Sequence, residues 1–293
     1  MHTLKYLAGQ LGQFLRIILK LKLPKKFYRS MGFNGSFSIY LNNQKIRLTN
    51  FRDEISNDIF YSGIFGNYEG YSLKIWNQLS LQAEKSYVLD IGGYTGIYSL
   101  VSAAANSDIS IHAFEPHPDT LTKLKKNIDS NIFANIYPHN FALDIKNGDL
   151  TFYNSKGTSP TGFSSVNHIY IEKDAGTKIC KSKKIDDLLE ERYKDMRISL
   201  IKIDIERSEY PVLQSIISRI INDKSCVLCE ILDEEFYEKF DQLFCINNFQ
   251  SIVIDDFKHS AFKVEKLAGM SKVGRNILFI PKDFNFEDIQ ESL

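Results

Sequence analysis

The chain has 293 residues, of which 43% are hydrophobic and 25% are charged, and its formal net charge at pH 7 is zero. A balanced charge gives no general support for a nucleic acid partner, and an ordinary apolar content is sufficient for a large core. The length allows one large α/β domain with an extension, or two small domains.

The cysteines argue against a disulfide-stabilised fold, because four of them in a chain of this length are too few for such a scaffold. Cys226 and Cys229 form a CxxC pair, but they lie in a predicted strand with no second pair and no neighbouring histidine motif. This context favours buried core thiols over a metal or redox site. Reduced thiols are typical of a cytoplasmic protein.

The first predicted element is an amphipathic helix within residues 1–30, a segment that contains seven Lys and Arg residues and no Asp or Glu. No uninterrupted apolar region precedes a cleavage site, so a signal peptide is not expected, and the charges exclude a membrane span. Three alternatives remain, namely packing on its own domain or on a second copy, peripheral membrane contact, and a flexible tail. The apolar stripe consists of Leu4, Leu7, Leu11, Phe14, Ile18 and Leu21.

Residues 36–48 alternate between apolar and polar side chains around Asn42-Asn43, a pattern that predicts a β-hairpin. Residues 60–76 are rich in aromatic side chains and glycine. They either pack in the core or cover the mouth of the site that follows, with Tyr68 and Glu69 as the expected contributors.

Residues 87–101, YVLDIGGYTGIYSLV, are the most informative stretch. An apolar strand leads into Asp90, then Gly92, Gly93 and Gly96, and an apolar helix follows. This order is how a doubly wound α/β domain begins its nucleotide pocket, with glycine allowing unusual backbone angles and close approach of a ligand.

The next strand, predicted at 109–115, ends in Glu115, at the position where such domains place an acid that binds ribose hydroxyls. The alternative is a charge at the N-terminus of the following helix. A third strand is predicted at 135–143, with Asn140 and Phe141 at the same rim, where Phe141 serves either as an adenine wall or as core. Residues 155–166 read as a loop that either selects the substrate or is simply solvated.

Residues 198–212 contain a strand that ends in Asp204 and Glu206, whose two-residue spacing predicts a shared face. Buried carboxylates need a cationic partner, and in open α/β sheets ligands bind at these strand ends. The alternative role is capping of a helix predicted at 208–221. A further strand at 225–232 carries Glu230, and strands at 250–254 and 276–280 are predicted as an antiparallel edge pair.

In this order the motifs resemble class I S-adenosylmethionine-dependent methyltransferases, and specifically the FkbM methyltransferase family, over residues 60–281. The family usually has Ala-Asn where this chain has Gly93-Tyr94, and Glu-Gly-Ala-Glu where it has ERSE at 206–209. The segments that carry the resemblance are VLDIGGYTGIYSL at 88–100, FEP at 114–116, a helix ending in Asn127 and Asn131, NFAL at 140–143, IDDLL at 185–189, IKIDIERSE at 201–209 and LCE at 228–230.

The resemblance implies an α/β fold with a Rossmann-like, seven-stranded, mostly parallel sheet. We expect an N-terminal extension at 1–85, with the helix and hairpin, and a methyltransferase domain at 86–293. The implied cofactor is S-adenosylmethionine. The residues implied at the cofactor are Asp90, Gly92, Gly93, Thr95 and Gly96 for the methionine part, Glu115 for the ribose, Asn140 and Ala142 for the adenine, and Tyr68 from the covering segment.

Asp204 and Glu206 are the residues implied at the methyl-transfer site. We expect O-methylation of a hydroxyl group on a sugar or small metabolite, in polysaccharide or secondary-metabolite biosynthesis, with Asp204 as base or substrate anchor and Glu206 or Glu230 second. No metal site is predicted, although a divalent ion between Asp204 and Glu230 is an alternative.

Two other functions stay open at this stage. One is a nicotinamide-dependent oxidoreductase, which the GGxxG spacing disfavours, and the other is an inert scaffold of the same fold, which Arg207 and the basic N-terminus motivate. We expect a small-molecule or carbohydrate substrate and no nucleic acid. A homodimer and membrane contact through residues 1–30 are alternatives, and the expected location is cytoplasmic or at the membrane periphery.

Overall fold

A computed structural model describes residues 34–154, 164–165 and 177–293, together with Leu4, Leu7, Leu11 and Phe14. Most of the loop predicted at 155–166 and most of the first helix lie outside these residues. Within the predicted loop, Ser164–Ser165 form a short strand.

The predicted hairpin is confirmed. Strand β1 (Gly35–Leu41) pairs antiparallel with β2 (Gln44–Asn50), and Leu41 lies opposite Gln44. Asn42 and Asn43 have φ values of +50° and +61°, the left-handed angles that a two-residue hairpin turn requires and that asparagine tolerates.

Further strands and helices alternate along the chain, as the sequence predicts for an α/β domain. The strands are β3 (Tyr87–Ile91), β4 (Ser110–Phe114), β5 (Ile136–His139), β6 (Ala142–Asp144), β7 (Gly148–Asn154), β8 (Ser164–Ser165), β9 (Thr177–Lys184), β10 (Ile198–Ile203), β11 (Cys226–Glu230), β12 (Phe249–Asp255), β13 (Ser260–Val264) and β14 (Asn276–Pro281). The helices are α1 (Glu54–Ser62), α2 (Gly70–Gln82), α3 (Ile97–Ala105), α4 (Pro118–Asp129), α5 (Ile185–Arg192), α6 (Glu209–Ser215), α7 (Ile217–Asp223), α8 (Glu234–Cys245) and α9 (Phe286–Glu291), with a 3-10 turn at Met270–Lys272.

The main sheet is Rossmann-like and mostly parallel, with the strand order β13-β12-β14-β11-β10-β3-β4-β5. Strands β11, β10, β3, β4 and β5 are parallel neighbours, and β14 runs antiparallel between β11 and β12. The prediction of seven strands misses one, because β13 folds back on β12 as an additional edge strand. The predicted antiparallel pairing of the last strands is confirmed.

A second sheet, with the order β6-β9-β7-β8, begins where β5 ends. The prediction of one continuous strand over 135–143 is therefore wrong. The chain leaves the main sheet after His139, and Ala142 pairs instead with Ser182 of β9. The helix predicted at 208–221 is also two helices, α6 and α7, which meet at Ile216.

The main sheet separates two hydrophobic clusters. Val88, Leu200 and Leu228 belong to the cluster that also contains the hairpin and α2, so the N-terminal extension covers this face. Cys226 lies in that cluster and Cys229 in the opposite one, so the two thiols of the CxxC pair point to different faces of β11. Burial raises the pKa of both thiols. The division into an extension at 1–85 and a domain at 86–293 stays a prediction.

The described positions of the first segment are helical, and their side chains are exposed: Leu4 to 74%, Leu7 to 60%, Leu11 to 56% and Phe14 to 55%. Their spacing places them on one stripe of a helix. In the part of the chain that the structure describes, no helix is long and apolar enough to cross a membrane.

Candidate functional site

The glycine turn after β3 joins two halves of the site. The N–H groups of Gly92 and Gly93 both donate to the carbonyl oxygen of Phe114 at the end of β4, each at 3.0 Å. Gly92 has a φ of +83°, and a Cβ atom there would lie 1.9 Å from the carbonyl oxygen of Asp204. Glycine is therefore required at residue 92 because the ends of β3 and β10 touch at this point.

Asp90 supports the helix that follows the turn. Its Oδ2 accepts hydrogen bonds from the N–H and the hydroxyl of Ser99, at 3.1 and 2.5 Å. Burial raises the pKa of Asp90, against the lowering effect of Ser99 and of Lys202. Gly96 precedes the first residue of α3 with a φ of +80° and no side-chain cap, so the first N–H groups of this helix lie at the turn.

Asn127 of α4 ties the N-terminal hairpin to the glycine turn. Its Nδ2 donates to the carbonyl oxygen of Thr95 at 2.9 Å, and its Oδ1 accepts from the N–H of Thr49 at 2.9 Å. Asn131 holds the hairpin in the same way, through the N–H and the carbonyl of Arg47. Asn127 and Asn131, which carry part of the family resemblance, thus fix the hairpin and the glycine turn relative to α4.

Glu115 lies at the end of β4 and faces the glycine turn. Its Oε2 accepts from the N–H of Tyr94 at 3.1 Å, and its Oε1 accepts from the N–H of His117 at 2.8 Å. Burial raises the pKa of Glu115 to about 8, although these two hydrogen bonds act in the opposite direction. Each carboxylate oxygen keeps further acceptor capacity, which a ribose diol can use.

The segment after β5 lies beside Glu115. The Nδ2 of Asn140 donates to the carbonyl oxygens of Glu115 and Pro116, at 3.3 and 3.1 Å. Ala142, also predicted at the adenine, begins β6 two residues further on. Phe141 is partly buried and packs against the second hydrophobic cluster, in agreement with the core role that the sequence left open.

Asp204 and Glu206 follow the end of β10. Glu206 and Arg207 have φ values of +56° and +81°, so the chain turns in a left-handed conformation directly after Asp204. The prediction that both acids share one face of a strand is therefore wrong. They remain close enough to interact, since burial and then the Asp204 charge raise the pKa of Glu206 to about 7.

Glu209 fixes this turn. Its Oε1 accepts from the N–H groups of Ile205 and Arg207, at 2.8 and 3.2 Å. The sequence offered capping of this helix as the alternative role of Asp204 and Glu206, but α6 has no side-chain cap, and Glu209 at its first position holds the turn instead. Arg207 in turn forms an ion pair with Asp233, at 2.6 Å.

A buried lysine lies beneath the acids. Lys202 of β10 is 2% exposed, and its Nζ is 3.5 Å from Oδ2 of Asp204 and 5.1 Å from the centre of the Tyr98 ring. Burial lowers the pKa of Lys202, but the carboxyl groups of Asp204 and Glu69 are among those that outweigh this and raise it. Lys202 is therefore a fixed positive charge at neutral pH.

Glu230, at the end of β11, forms a carboxyl pair with Asp204. Ile203, the residue before Asp204, pairs with Cys229, the residue before Glu230, so the two acids follow the ends of neighbouring parallel strands. Burial raises the pKa of Glu230 first, and the charges of Asp204 and Glu69 raise it further. A neutral Glu230 could donate a hydrogen bond to Asp204, which an ionised carboxylate cannot do.

The turn before α2 closes this side of the site. Oε2 of Glu69 accepts from the hydroxyl of Tyr98 at 2.7 Å. Burial raises the pKa of Glu69, and Lys202 opposes that rise. Burial and then the charges of Glu69, Asp204 and Glu230 raise the pKa of Tyr68, so this phenol is neutral. The structure thus brings both predicted residues of the covering segment beside the carboxyl pair.

Asp256, which follows β12, anchors that turn. Its Oδ1 accepts from the N–H groups of Tyr71 and Ser72, at 2.9 and 2.8 Å, and its Oδ2 accepts from the hydroxyl of Ser72 at 2.6 Å. Helix α2 has no side-chain cap of its own at Glu69, so the cap comes from a residue far along the chain. Asp256 therefore keeps Glu69 at the site.

Lys202 and Asp256 are the site residues that the sequence alone did not identify. The available signal for Lys202 was a lysine inside an otherwise apolar strand, immediately before an acid. Asp256 carried no local signal, because the helix that it caps begins 186 positions earlier, at Gly70.

Among the described residues, no group of three or more His, Cys, Asp or Glu side chains is arranged to hold a metal ion. The alternative of a divalent ion between Asp204 and Glu230 would place a second cation beside the ammonium group of Lys202, which electrostatic repulsion disfavours.

Comparison with known proteins gives a match to the methyltransferase FkbM domain over residues 90–257, more than half of the chain. A curated relative is "Methyltransferase 1" of Beauveria bassiana, 24% identical over 147 residues, 45% of this chain and 59% of the relative. Another is the hexuronic acid methyltransferase AglP of Haloferax volcanii, 26% identical over 151 residues, 51% of this chain and 58% of the relative. The chain thus spans under two thirds of the length of these relatives.

Among solved structures, an FkbM methyltransferase from Methylobacillus flagellatus aligns with a TM-score of 0.40 and 15% identity, over 67% of this chain and 43% of that one. The domain match begins at Asp90 before the glycine turn and ends just beyond Asp256. It therefore includes Glu115, Asp204 and Glu230. On this match, the chain belongs to the FkbM methyltransferase family.

Proposed function

We propose that this protein is an S-adenosylmethionine-dependent methyltransferase that methylates a hydroxyl group of a sugar or a related small metabolite. The observation that carries the proposal is one juxtaposition. Glu115 faces the glycine turn from one side. On the other side, the carbonyl oxygen of Asp204 contacts the same turn, and the side chain of Asp204 forms the carboxyl pair with Glu230.

The donor set fits the parts of S-adenosylmethionine. The spare acceptor capacity of Glu115 suits a ribose diol, and Asn140 lies next to it for the adenine end. The glycine turn and the N-terminus of α3 suit the methionine carboxylate. The acids around Lys202 suit the positive sulfonium. When bound, this cofactor supplies an activated methyl group.

The chain's own residues then have two tasks. The first is alignment, because an in-line displacement depends mainly on how the nucleophile and the methyl carbon are oriented, and orientation can contribute several kcal/mol, on the order of 7–11 in the best cases. The second is removal of the hydroxyl proton, for which a carboxylate within hydrogen-bond reach is suited. Asp204 is our first choice for that carboxylate, with Glu206 as a second contributor.

The acceptor is proposed as a carbohydrate or related metabolite for two reasons. Carboxylate groups such as those of Asp204, Glu206 and Glu69 are suitable hydrogen-bond acceptors for several hydroxyl groups at once. In addition, one relative carries the name of a hexuronic acid methyltransferase. A place in polysaccharide or secondary-metabolite biosynthesis follows from this acceptor class.

The test is transfer of a radiolabelled methyl group from S-adenosylmethionine to a panel of neutral sugars, uronic acids and phenols. Label in any acceptor, lost in Asp204→Asn, supports the proposal and removes the inert-scaffold alternative. Cofactor binding without transfer to any member would contradict the acceptor class. A nicotinamide cofactor that binds in place of S-adenosylhomocysteine would restore the oxidoreductase alternative.

We also propose that the protein acts in the cytoplasm at the membrane periphery. The four described apolar side chains at positions 4, 7, 11 and 14 are all more than half exposed, and residues 1–30 carry seven cations and no anion. An exposed apolar stripe in a basic segment is suited to an anionic lipid surface.

Flotation of the full chain with phosphatidylglycerol vesicles tests this contact. We expect binding that weakens at high salt and in a Leu7→Ser/Leu11→Ser variant, and little binding to phosphatidylcholine. A protein that ignores both vesicles and elutes as a dimer, which the same variant dissociates, would show that a second copy covers the stripe instead.

A further inference from the structure

The function proposed above assigns no role to Lys202, the buried lysine of β10. Lys202 lies beside Asp90 of β3 in the sheet register and two residues after Leu200, so it faces the side of the sheet that the N-terminal extension covers. Burying an ammonium group there costs free energy unless negatively charged groups pair with it. Its position under the carboxyl pair therefore calls for an explanation.

We propose that Lys202 is a positioning residue that keeps Asp204 ionised and leaves the shared proton on Glu230, so that Asp204 is the group that receives the proton of the acceptor hydroxyl. The inference rests on the proposed function. It concerns the charge state of the pair, which is defined in the protein alone.

Geometry gives the first reason. The Nζ of Lys202 is 3.5 Å from Oδ2 of Asp204, which makes a direct ion pair with that member of the carboxyl pair. Glu230 lies next to Asp204 at the ends of β11 and β10, because Cys229 pairs with Ile203. Asp204 therefore has a cation on one side and a neutral acid on the other, and both favour its negative charge.

The surrounding charges give the second reason. The ammonium group of Lys202 faces many acids, which disfavour a second negative charge on the pair, while the guanidinium groups of Arg207 and Arg275 act on Glu206. The other carboxyl groups that act on Asp204 or Lys202 are Glu69, Asp90, Glu115, Glu206 and Glu209. Tyr68, Tyr237 and Cys229 lie within reach of Glu230 and have raised pKa values, so they remain neutral.

These groups account for every bond and proton that changes in the methyl-transfer step. The acceptor oxygen forms a bond to the methyl carbon, the carbon–sulfur bond breaks, and its electron pair goes to the sulfur. The O–H bond of the acceptor breaks, and its proton goes to the carboxylate of Asp204. Glu230 keeps its own proton, so both members of the pair are neutral after one turnover until Asp204 releases its proton to water.

The inference also bears on the acceptor class. Lys202 is fully engaged by Asp204 and its neighbouring acids, so it is not available to bind an anionic substrate. The guanidinium groups of Arg207 and Arg275 act on Glu206, so an acceptor that carries a carboxylate would find its cationic partners there and not at Lys202.

Carboxyl ¹³C NMR of the cofactor-free protein, labelled in the side chains of Asp and Glu, tests the charge state directly. Spectra of Asp204→Asn and Glu230→Gln assign the resonances. Because interacting groups titrate together, the two steps are read as properties of the pair. In Lys202→Met we expect both steps to move to higher pH, with at least a tenfold increase in proton affinity, about one pH unit.

Two controls define the result. Lys202→Arg keeps the charge and is expected to titrate like the wild type, and so is Lys125→Met, which removes an exposed lysine of α4. Steps that stay in place in Lys202→Met would overturn the proposal. If Lys202→Met does not fold, Asp204→Asn decides, because loss of the neighbouring charge must then move proton release from Glu230 to lower pH, and an unchanged value overturns it.

The outcome is separate from that of the proposed function. Calorimetry with S-adenosylhomocysteine asks whether the cleft binds the cofactor product, and the NMR titration asks where the proton lies. If the titration steps move in Lys202→Met but the protein does not bind S-adenosylhomocysteine, the proposed charge arrangement stands and the proposed function is contradicted. If the protein binds S-adenosylhomocysteine but the steps do not move, the proposed function stands and the charge arrangement is contradicted.

Discussion

The two halves of the site hold their carboxylates in different ways. On the side of β4, Glu115 accepts two backbone N–H groups, so its position is fixed by the main chain. On the side of β10 and β11, Asp204 and Glu230 are held by a lysine and by each other, through side chains. Backbone donors hold Glu115 in one fixed position, which suits the proposed cofactor role, whereas the charge of a carboxyl pair beside a lysine responds to its neighbours, which suits the proposed removal of a proton from the acceptor hydroxyl.

The largest effect is expected where the two halves touch. Gly92→Ala would place a Cβ atom 1.9 Å from the carbonyl oxygen of Asp204, at a φ of +83°. We expect a loss of about 3–5 kcal/mol in the free energy of unfolding, measured by urea denaturation.

Gly269→Ala is the matched control for that change. Gly269 has a φ of +81°, but a Cβ atom added there would have no atom within 4 Å, so only the backbone strain of about 1–2 kcal/mol is expected. Equal losses in the two variants would show that the contact between the halves does not contribute.

The next effect concerns the turn before α2, which contains Tyr68 and Glu69. Asp256→Ala removes the acceptor of three hydrogen bonds at the start of α2, and we expect a loss of about 2 kcal/mol in stability. It should also weaken S-adenosylhomocysteine binding about tenfold, because Tyr68 and Glu69 lose their anchor.

Asn285→Ala removes a cap at α9, away from the site, and should cost about 1 kcal/mol without changing that affinity. Equal binding by the Asp256→Ala variant and the wild type would mean that the turn before α2 does not cover the cofactor.

A smaller effect concerns the proton of Glu230. Its raised pKa means that the folded protein keeps a proton that the unfolded chain releases above about pH 4.3, so its contribution to stability declines as the pH rises above that value. In Glu230→Gln, the unfolding free energy should therefore fall less steeply between pH 5 and pH 8. Urea unfolding across this range is the measurement, with Glu291→Gln on the exposed end of α9 as the control. Identical slopes in Glu230→Gln and the wild type would contradict a retained proton.

The smallest effect is expected at Arg207, where the family usually has glycine. Its φ of +81° explains that preference, since glycine adopts this conformation without strain. Arg207→Gly should change stability by less than about 0.5 kcal/mol, because relief of strain offsets loss of the ion pair with Asp233. Arg207→Ala keeps the strain and loses the pair, so thermal denaturation should show it to be the less stable of the two. The reverse order would contradict this interpretation.

The half around Glu115 and the glycine turn could be predicted from the sequence more fully than the half around Asp204. The glycine turn and Glu115 stand at fixed positions after two apolar strands, so local pattern is sufficient to find them. The half around Asp204 also contains Glu69, Lys202 and Glu230 from three distant segments, and only the assembled sheet brings them together. Asp204 was predicted correctly as a strand-end residue, but the left-handed turn after it carries no periodic signal.

The same distinction explains the errors in the fold. The third strand ends at His139 because Ala142 pairs with β9, and a pairing partner forty positions away is invisible to a pattern of alternation. The edge strand β13 is short and polar in part, with Lys263 among its residues, so it lacks the apolar run of the inner strands.

Calorimetric titration with S-adenosylhomocysteine tests the central claim most directly. We predict that the wild type and Asp119→Asn, an exposed acid at the start of α4, bind alike, and that Glu115→Gln binds at least tenfold more weakly, because an oxygen that can accept a hydrogen bond from the ribose diol is replaced by an amide donor. Absence of binding by the wild type at millimolar ligand, or equal binding by the wild type and Glu115→Gln, would contradict the account.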